Sequence, residues 1–229
     1  MDYKKNYRYF ENKKLLLYVG AGLLILGVIL WILPRSRDYG FIIYILSVLS
    51  ILSGGVIFVV TLSMRANDKK IDESVETAFS RFEDETLERY DLYERQLHYV
   101  ESAVIEGYKY FEGSFLRRDR EGRYRTEIYA VTHVYFVEEG LCIGSREVSL
   151  IEDKQTDKSE DIPYSTVDRA YLTDDELIYK KGKKTVPVKY QTLHILKTDG
   201  SEFTAQAHFS QALDKLVSDI NHIKERKAK

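Results

Sequence analysis

Two uncharged runs, "LLLYVGAGLLILGVILWIL" (15–33) and "FIIYILSVLSILSGGVIFVVTLSM" (41–64), separated only by "PRSRDYG", constrain this chain more than any other feature. At about 1.5 Å per helical residue, each run is long enough to cross a hydrocarbon layer of about 30 Å. So short a connection, with a helix breaker at each end, makes the two spans an antiparallel hairpin whose outer ends share one side of the membrane. Lysine and arginine indicate the side. Five precede the first span (Lys4, Lys5, Arg8, Lys13, Lys14), three follow the second (Arg65, Lys69, Lys70) and two lie between (Arg35, Arg37), so both termini are expected in the cytoplasm. A basic stretch before an apolar run also marks signal peptides. Here the run is long, no small-residue cleavage pattern comes after it, and a second run begins at once.

Neither run contains an ionisable residue, which argues against a proton or ion path built from this chain alone. In the second run Ser47, Ser50 and Gly54 fall on one helix face and would let another helix approach closely. That helix is either the first span or a span of a second copy, and a pore formed by oligomers is a further option.

The remainder of the chain has a different composition. Residues 1–64 carry 7 Lys/Arg against 3 Asp/Glu, and residues 65–229 carry 27 against 33. A mildly acidic soluble part lacks the basic field that nucleic-acid polymers attract, so such a partner is not expected. The single cysteine, Cys142, excludes an intrachain disulfide, and its apolar neighbours in "GLCIG" predict a buried thiol.

Residues 65–107 read as an acidic, amphipathic connecting helix. No glycine or proline interrupts 68–106, and Val75, Phe79, Phe82, Tyr90, Tyr93, Leu97, Val100 and Val104 recur at helical spacing apart from a gap at Thr86. Asn67, Asp68 and Asp72 are candidate N-caps and Gly107 a natural stop. Residues 68–106 hold twelve acids against five bases, so the helix is not expected to lie on an anionic leaflet. It would either pair with another copy or fold back on the C-terminal domain, and its bulky aromatic positions favour the second.

From residue 108 onward the pattern becomes short β-rich runs between turn signals. Phe203, Ala205, Ala207 and Phe209 alternate with polar residues in the run 202–209, directly after the turn-like Asp199-Gly200. Ser210 can then cap a final helix that buries Leu213, Leu216, Val217, Ile220 and Ile223. The predicted class is an α+β membrane protein: a cytoplasmic tail (1–14), a transmembrane hairpin (15–64), the connecting helix (65–107) and an antiparallel β-barrel or sandwich closed by a C-terminal helix (108–229).

"YAVTHVYFVEEGLCI" (129–143), "DIPYSTVDRAYL" (161–172) and "LKTDGSEFTAQAHFSQALDKLVSDI" (196–220) resemble the pleckstrin-homology superfold, in particular the small bacterial PH-like domains attached to transmembrane segments. The resemblance covers about half the chain. It implies a binding or assembly module and transfers no catalytic residue.

"FLRRDREGRYRTEIY" (115–129) would be the first hairpin of such a domain, and it carries Arg117, Arg118, Arg120, Arg123 and Arg125. Guanidinium forks match phosphate, and basic first hairpins hold inositol-phosphate headgroups in eukaryotic members of that superfold. Lys181 and Lys183, in "KKGKK", could join them as an anion site. Equally, Asp119 and Glu121 interrupt the arginines, and exposed hairpins often carry charge to block edge-to-edge association. No zinc spacing, calcium loop, phosphate-binding glycine loop or nucleophile elbow is present, so neither enzyme activity, metal nor cofactor is expected.

The leading expectation is therefore a non-enzymatic, membrane-anchored PH-like domain that binds a protein partner or assembles with itself. Two alternatives stay open. One is a membrane effector gated by a phosphorylated ligand at the arginine hairpin, similar in layout to two-span β-barrel effectors of bacterial cyclic-oligonucleotide defence. The other is an accessory subunit of a transporter or cell-envelope complex.

Overall fold

The computed structural model describes residues 1–11, 15–33, 40–63, 67–97, 100–181, 184–207 and 211–227. The chain is α+β, with N-terminal helices followed by antiparallel sheets. It divides into two compact units, residues 4–70 and residues 71–229 together with the first three residues.

The first unit contains α1 (Tyr3–Glu11), α2 (Leu15–Ile32) and α3 (Gly40–Ser63). The last two are long and apolar enough to cross a membrane. They pack on each other along small residues: Gly20 and Gly27 of α2 and Ser47 and Gly54 of α3 are buried. A Cβ added to Gly54 would come within 2.7 Å of the Leu24 nitrogen and 2.8 Å of the Gly20 carbonyl oxygen, so the two backbones meet there. Ser47 and Gly54 thus face the first span, and Ser50 is half-buried. Lys13, Lys14, Arg35, Arg37 and Arg65, used to assign sidedness from sequence, lie outside the described residues.

The single connecting helix is a correction. Residues 68–95 form three short helices, α4 (Asp68–Phe79), α5 (Phe82–Arg89) and α6 (Leu92–Arg95). Asn67 caps α4 by accepting the Lys70 N–H at 2.9 Å. The chain bends between α5 and α6 at Asp91, whose φ of 51° is left-handed, and it is extended by Gln96. Ala103–Tyr108 is strand β1, so Gly107 lies inside a sheet rather than ending a helix, and the β-domain begins before residue 108. The reason is the surface these helices cover. They lie on one face of a sheet, and a helix of such length would run off it. The gap at Thr86 has the same origin: Thr86 is buried on the apolar face, where a Cβ on Gly144 would be 2.6 Å from its methyl group. A small side chain at 86 allows that approach.

The later strands are β2 (Arg117–Arg118), β3 (Tyr124–Arg125), β4 (Ile128–Phe136), β5 (Gly140–Ser149), β6 (Gln155–Pro163), β7 (Val167–Lys181), β8 (Lys184–Lys197) and β9 (Glu202–Ala207), before helix α7 (Gln211–Lys227). They make, with β1, a four-stranded antiparallel sheet in the order β1-β4-β5-β6, a three-stranded antiparallel sheet in the order β7-β8-β9, and the small hairpin β2-β3.

One core, including Ile105, Val134, Phe136, Leu193, Ile195 and Ala205, is formed by the inner faces of both sheets, and Leu213, Leu216, Ile220 and Ile223 of α7 complete it. A smaller cluster on the outer face of the first sheet joins Tyr135, Val137 and Cys142 to Leu92. Burial and a hydrogen bond toward Asp161 push the Cys142 thiol up to about 12, which makes it an inert buried group.

The Asp199-Gly200 turn also differs from the tight two-residue turn its dipeptide suggests. The Gly200 N–H donates to the Lys197 carbonyl and the Lys197 N–H to that of Ser201, and only Gly200 of the pair has positive φ (83°). This is the three-residue loop with a left-handed glycine at its end. Phe209 and Ser210, expected to extend β9 and cap α7, lie outside the described residues.

Candidate functional site

The arginine hairpin folds around one carboxylate. Arg117 stands across from Arg125 and Arg118 across from Tyr124, with a turn from Asp119 to Arg123 that needs Gly122 at a φ of 90°. Asp119 sits at the turn's inner side and is buried. It accepts the Arg123 N–H at 2.9 Å, the Arg123 Nε–H at 3.0 Å and the Arg125 Nε–H at 3.0 Å. Burial alone would raise its pKa, but these donors outweigh it and hold the carboxyl below the usual range.

Arg125 is a buried, fully engaged side chain. Its Nη1 donates to Asp72 of α4 at 2.6 Å and to the Tyr108 hydroxyl at 3.2 Å, while its side chain is 2% exposed. Burial in turn pushes the Tyr108 phenol up to about 12. Arg123 also pairs with Glu121 at 2.7 Å, and Arg118 donates to the Gly122 carbonyl at 3.0 Å. Arg117 lies in the ladder and Arg120 in the turn. The structure therefore converges Arg123 and Arg125 on an internal acid and ties the hairpin to α4. Lys181 ends β7, and Lys183 lies outside the described residues.

Beside this hairpin is a cleft of about 860 Å³, built by α4, β1 and α7. Val75, Glu76 and Phe79 line it from α4, and Ala212, Leu216 and Asp219 from α7. Residues 101–106 of the chain run along its length. These α4 positions recur every three or four residues, and so do those of α7, so each helix presents one face to the cleft. Ile105 points to the core, whereas Val104 (51% exposed) and Glu106 point to the opposite side of the sheet.

The cleft is acidic. Its lining has five carboxylates, Asp72, Glu76, Glu101, Glu106 and Asp219, against Arg123, Arg125 and Lys215. The three cations are already used: Arg125 by Asp72, Arg123 by Asp119 and Glu121, and Lys215 by Glu101 at 2.7 Å. Glu76 has no cationic partner among the described residues. Sequence reading missed this site because its walls come from segments far apart in the chain. The one available signal was the excess of acids over bases in 68–106.

The outer face of the three-stranded sheet carries a second polar constellation. Thr173 Oγ1 is 2.9 Å from His194 Nε2, His194 Nδ1 is 3.0 Å from Glu202, and the Tyr171 hydroxyl donates to Glu202 at 2.8 Å. The order hydroxyl, imidazole, carboxylate matches a nucleophilic relay. However, it lies flat on a sheet face, and β8, which carries the imidazole, is paired on both sides, so its amide hydrogens are engaged in the ladder. Among the described residues no group of His, Cys, Asp and Glu is placed to hold a metal ion.

Comparison with models of protein families, with curated proteins and with solved structures found no match to this chain. The functional reading therefore rests on its own residues.

Proposed function

We propose that this chain is a non-enzymatic membrane-anchored interaction module, in which a two-span hairpin carries a PH-like domain on the cytoplasmic side. Two apolar helices packed through small residues support the anchor. Four antiparallel strands, then three, then an amphipathic helix over the core support the PH-like reading. The observation that carries the function is the cleft of about 860 Å³, a size within the range of binding sites, with apolar residues and a strand in its lining and carboxylates on its walls.

The hairpin favours this reading over a sensor of phosphorylated ligands. Arg123 and Arg125 already hold carboxylates, and phosphate would have to displace the buried Asp119 from both, in the case of Arg125 out of a fully buried ion pair. The test is to compare cross-linked partners of the full chain with those of residues 71–229 moved onto an unrelated two-span anchor. Partners that go with residues 71–229 support the module. Partners that stay with residues 1–70 overturn it and favour an accessory membrane subunit.

A further inference from the structure

Building on that reading, we propose that the cleft accepts an extended segment of a partner protein, with lysine or arginine at alternate positions, as an added strand on the open edge of β1.

The edge is the first observation. In the register of β1 with β4, the Lys109 N–H donates to the Ile128 carbonyl, and antiparallel alternation then directs residues 103, 105 and 107 toward β4. Val104 and Glu106 direct their N–H and C=O groups the other way, into the cleft, where no strand pairs with them among the described residues; Tyr108 does so too, but β9 packs close to that end of β1 and leaves the edge open only toward Val104. At the far end the Gln206 side chain reaches the same edge: it accepts the Tyr110 N–H at 2.8 Å and donates to the Tyr110 carbonyl at 3.2 Å. One amide side chain thus makes the pair of bonds that a neighbouring strand would make, and it closes the edge just after β1.

The second observation is how differently the two edges of this sheet are treated. At the opposite edge, β6 carries Asp157, Lys158, Glu160 and Asp161 and ends in Pro163, the charges and proline that discourage pairing. β1 reads Ala-Val-Ile-Glu-Gly-Tyr, with one charge and no proline. An apolar edge of that kind is a pairing template, and here it lies within a cleft between two helices.

Charge and periodicity specify the occupant. Successive side chains of an added strand would alternate between the two sides of the sheet. One set would meet Ile105, Leu213 and Leu216, with Asp219 the one carboxylate that α7 adds to that wall among the described residues. The other would meet Glu106 and, from α4, Glu76. Alternating apolar and cationic residues satisfy both sides, whereas an acidic segment would add like charge.

The experiment uses the full chain in nanodiscs of neutral phosphatidylcholine, so that the lipid does not capture a cationic probe. The probe is a fluorescein-labelled peptide as long as β1, alternating valine and lysine. Two comparison peptides have the same composition: one is reordered into a valine block and a lysine block, and one is N-methylated at alternate residues along a single edge. The expected result is saturable binding of the alternating peptide, about tenfold or more weakened by block order or N-methylation and by the double substitution Glu76→Gln with Glu106→Gln. Val104→Pro, which removes one outward N–H and leaves the ladder to β4 intact, should weaken it as well.

N-methylated and parent peptides binding equally would overturn the proposal, since that shows charge attraction without strand pairing. So would a chain that dimerises through β1 and ignores the peptide. If the peptide fails while partners still go with residues 71–229 onto a foreign anchor, this inference falls and the interaction module stands.

Discussion

The two sheets handle polar residues in opposite ways. The four-stranded sheet is covered on both faces, by the shared core inside and by the short helices outside, so most positions of β4 and β5 are buried. Its outer face nevertheless holds Arg146 and His133. Arg146 is buried under the Phe82 ring, with its guanidinium carbon 4.6 Å from the ring centre, and it donates to Asp157 and Glu85 at 2.7 Å each. The three-stranded sheet leaves its outer face partly in water. There Tyr171, Thr173, His194 and Glu202 share hydrogen bonds, with His194 17% and Glu202 31% exposed. Similar side chains are thus structural fasteners on one sheet and a solvated row on the other. Their energetic weight should track burial rather than chemistry.

Amide hydrogen exchange reports the two sheets separately and so measures whether burial sets these weights. Arg146→Ala should have the largest effect, lowering the opening free energy of α5 and β5 by about 2–3 kcal/mol, because the packing under Phe82 and the pair with the mostly buried Asp157 are both lost, while the half-exposed Glu85 adds little. Unchanged protection of β5 would mean that Arg146 fastens nothing. Next is Gly144→Val, which drives a side chain against Thr86 and should cost about 1–3 kcal/mol. Thr86→Ala in the same chain should recover part of that loss, and an additive pair would place the strain elsewhere.

A pH series should produce a smaller change. Burial under α5 lowers the pKa of His133, so between its ordinary 6.5 and its depressed folded value the unfolded chain binds a proton that the folded chain does not. Stability of the four-stranded sheet should therefore be complete above 6.5 and fall as pH drops below it. His133→Gln should flatten that step. Glu202 behaves differently: the Tyr171 hydroxyl above all holds its carboxyl down, so its contribution persists through that window and is lost only at more acidic pH. The least effect is expected from Thr173→Val, which removes one hydroxyl from the solvated row and should cost about 1 kcal/mol or less, with β4 and β5 exchange unaltered.

The same contrast explains what could be read in advance. β9 was legible because one of its faces is buried: its alternation of Ala205 and Ala207 with polar residues has a two-residue period. β4 and β5 show no such alternation, since both faces are covered, and they were recognised by β-branched and aromatic content instead. α7 was legible by its stripe, with Leu213, Leu216, Ile220 and Ile223 all buried. Over 68–106 the periodicity was read as one helix because spacing of three and four continues through short helices that turn to track a sheet, and through the beginning of a strand. Spacing along the chain carries no information about a bend such as the one at Asp91.

The candidate site was less legible still. Five arginines in a hairpin look alike in sequence whether they face phosphate, water or an internal acid. For Arg125 the answer is supplied by Asp72, 53 residues earlier. The cleft likewise comes from Glu76, Glu106 and Asp219, which meet only once α4, β1 and α7 are packed together.

By itself, then, the sequence determined the two spans long enough for a membrane, the strand-rich second part and the amphipathic closing helix. Each of these comes from hydrophobic period and composition, which are properties of neighbouring residues. Tertiary structure alone decided which charges are neutralised, which sheet face is covered and which strand edge is left open. Those outcomes depend on groups distant in the chain, because desolvation and charge pairing act through space.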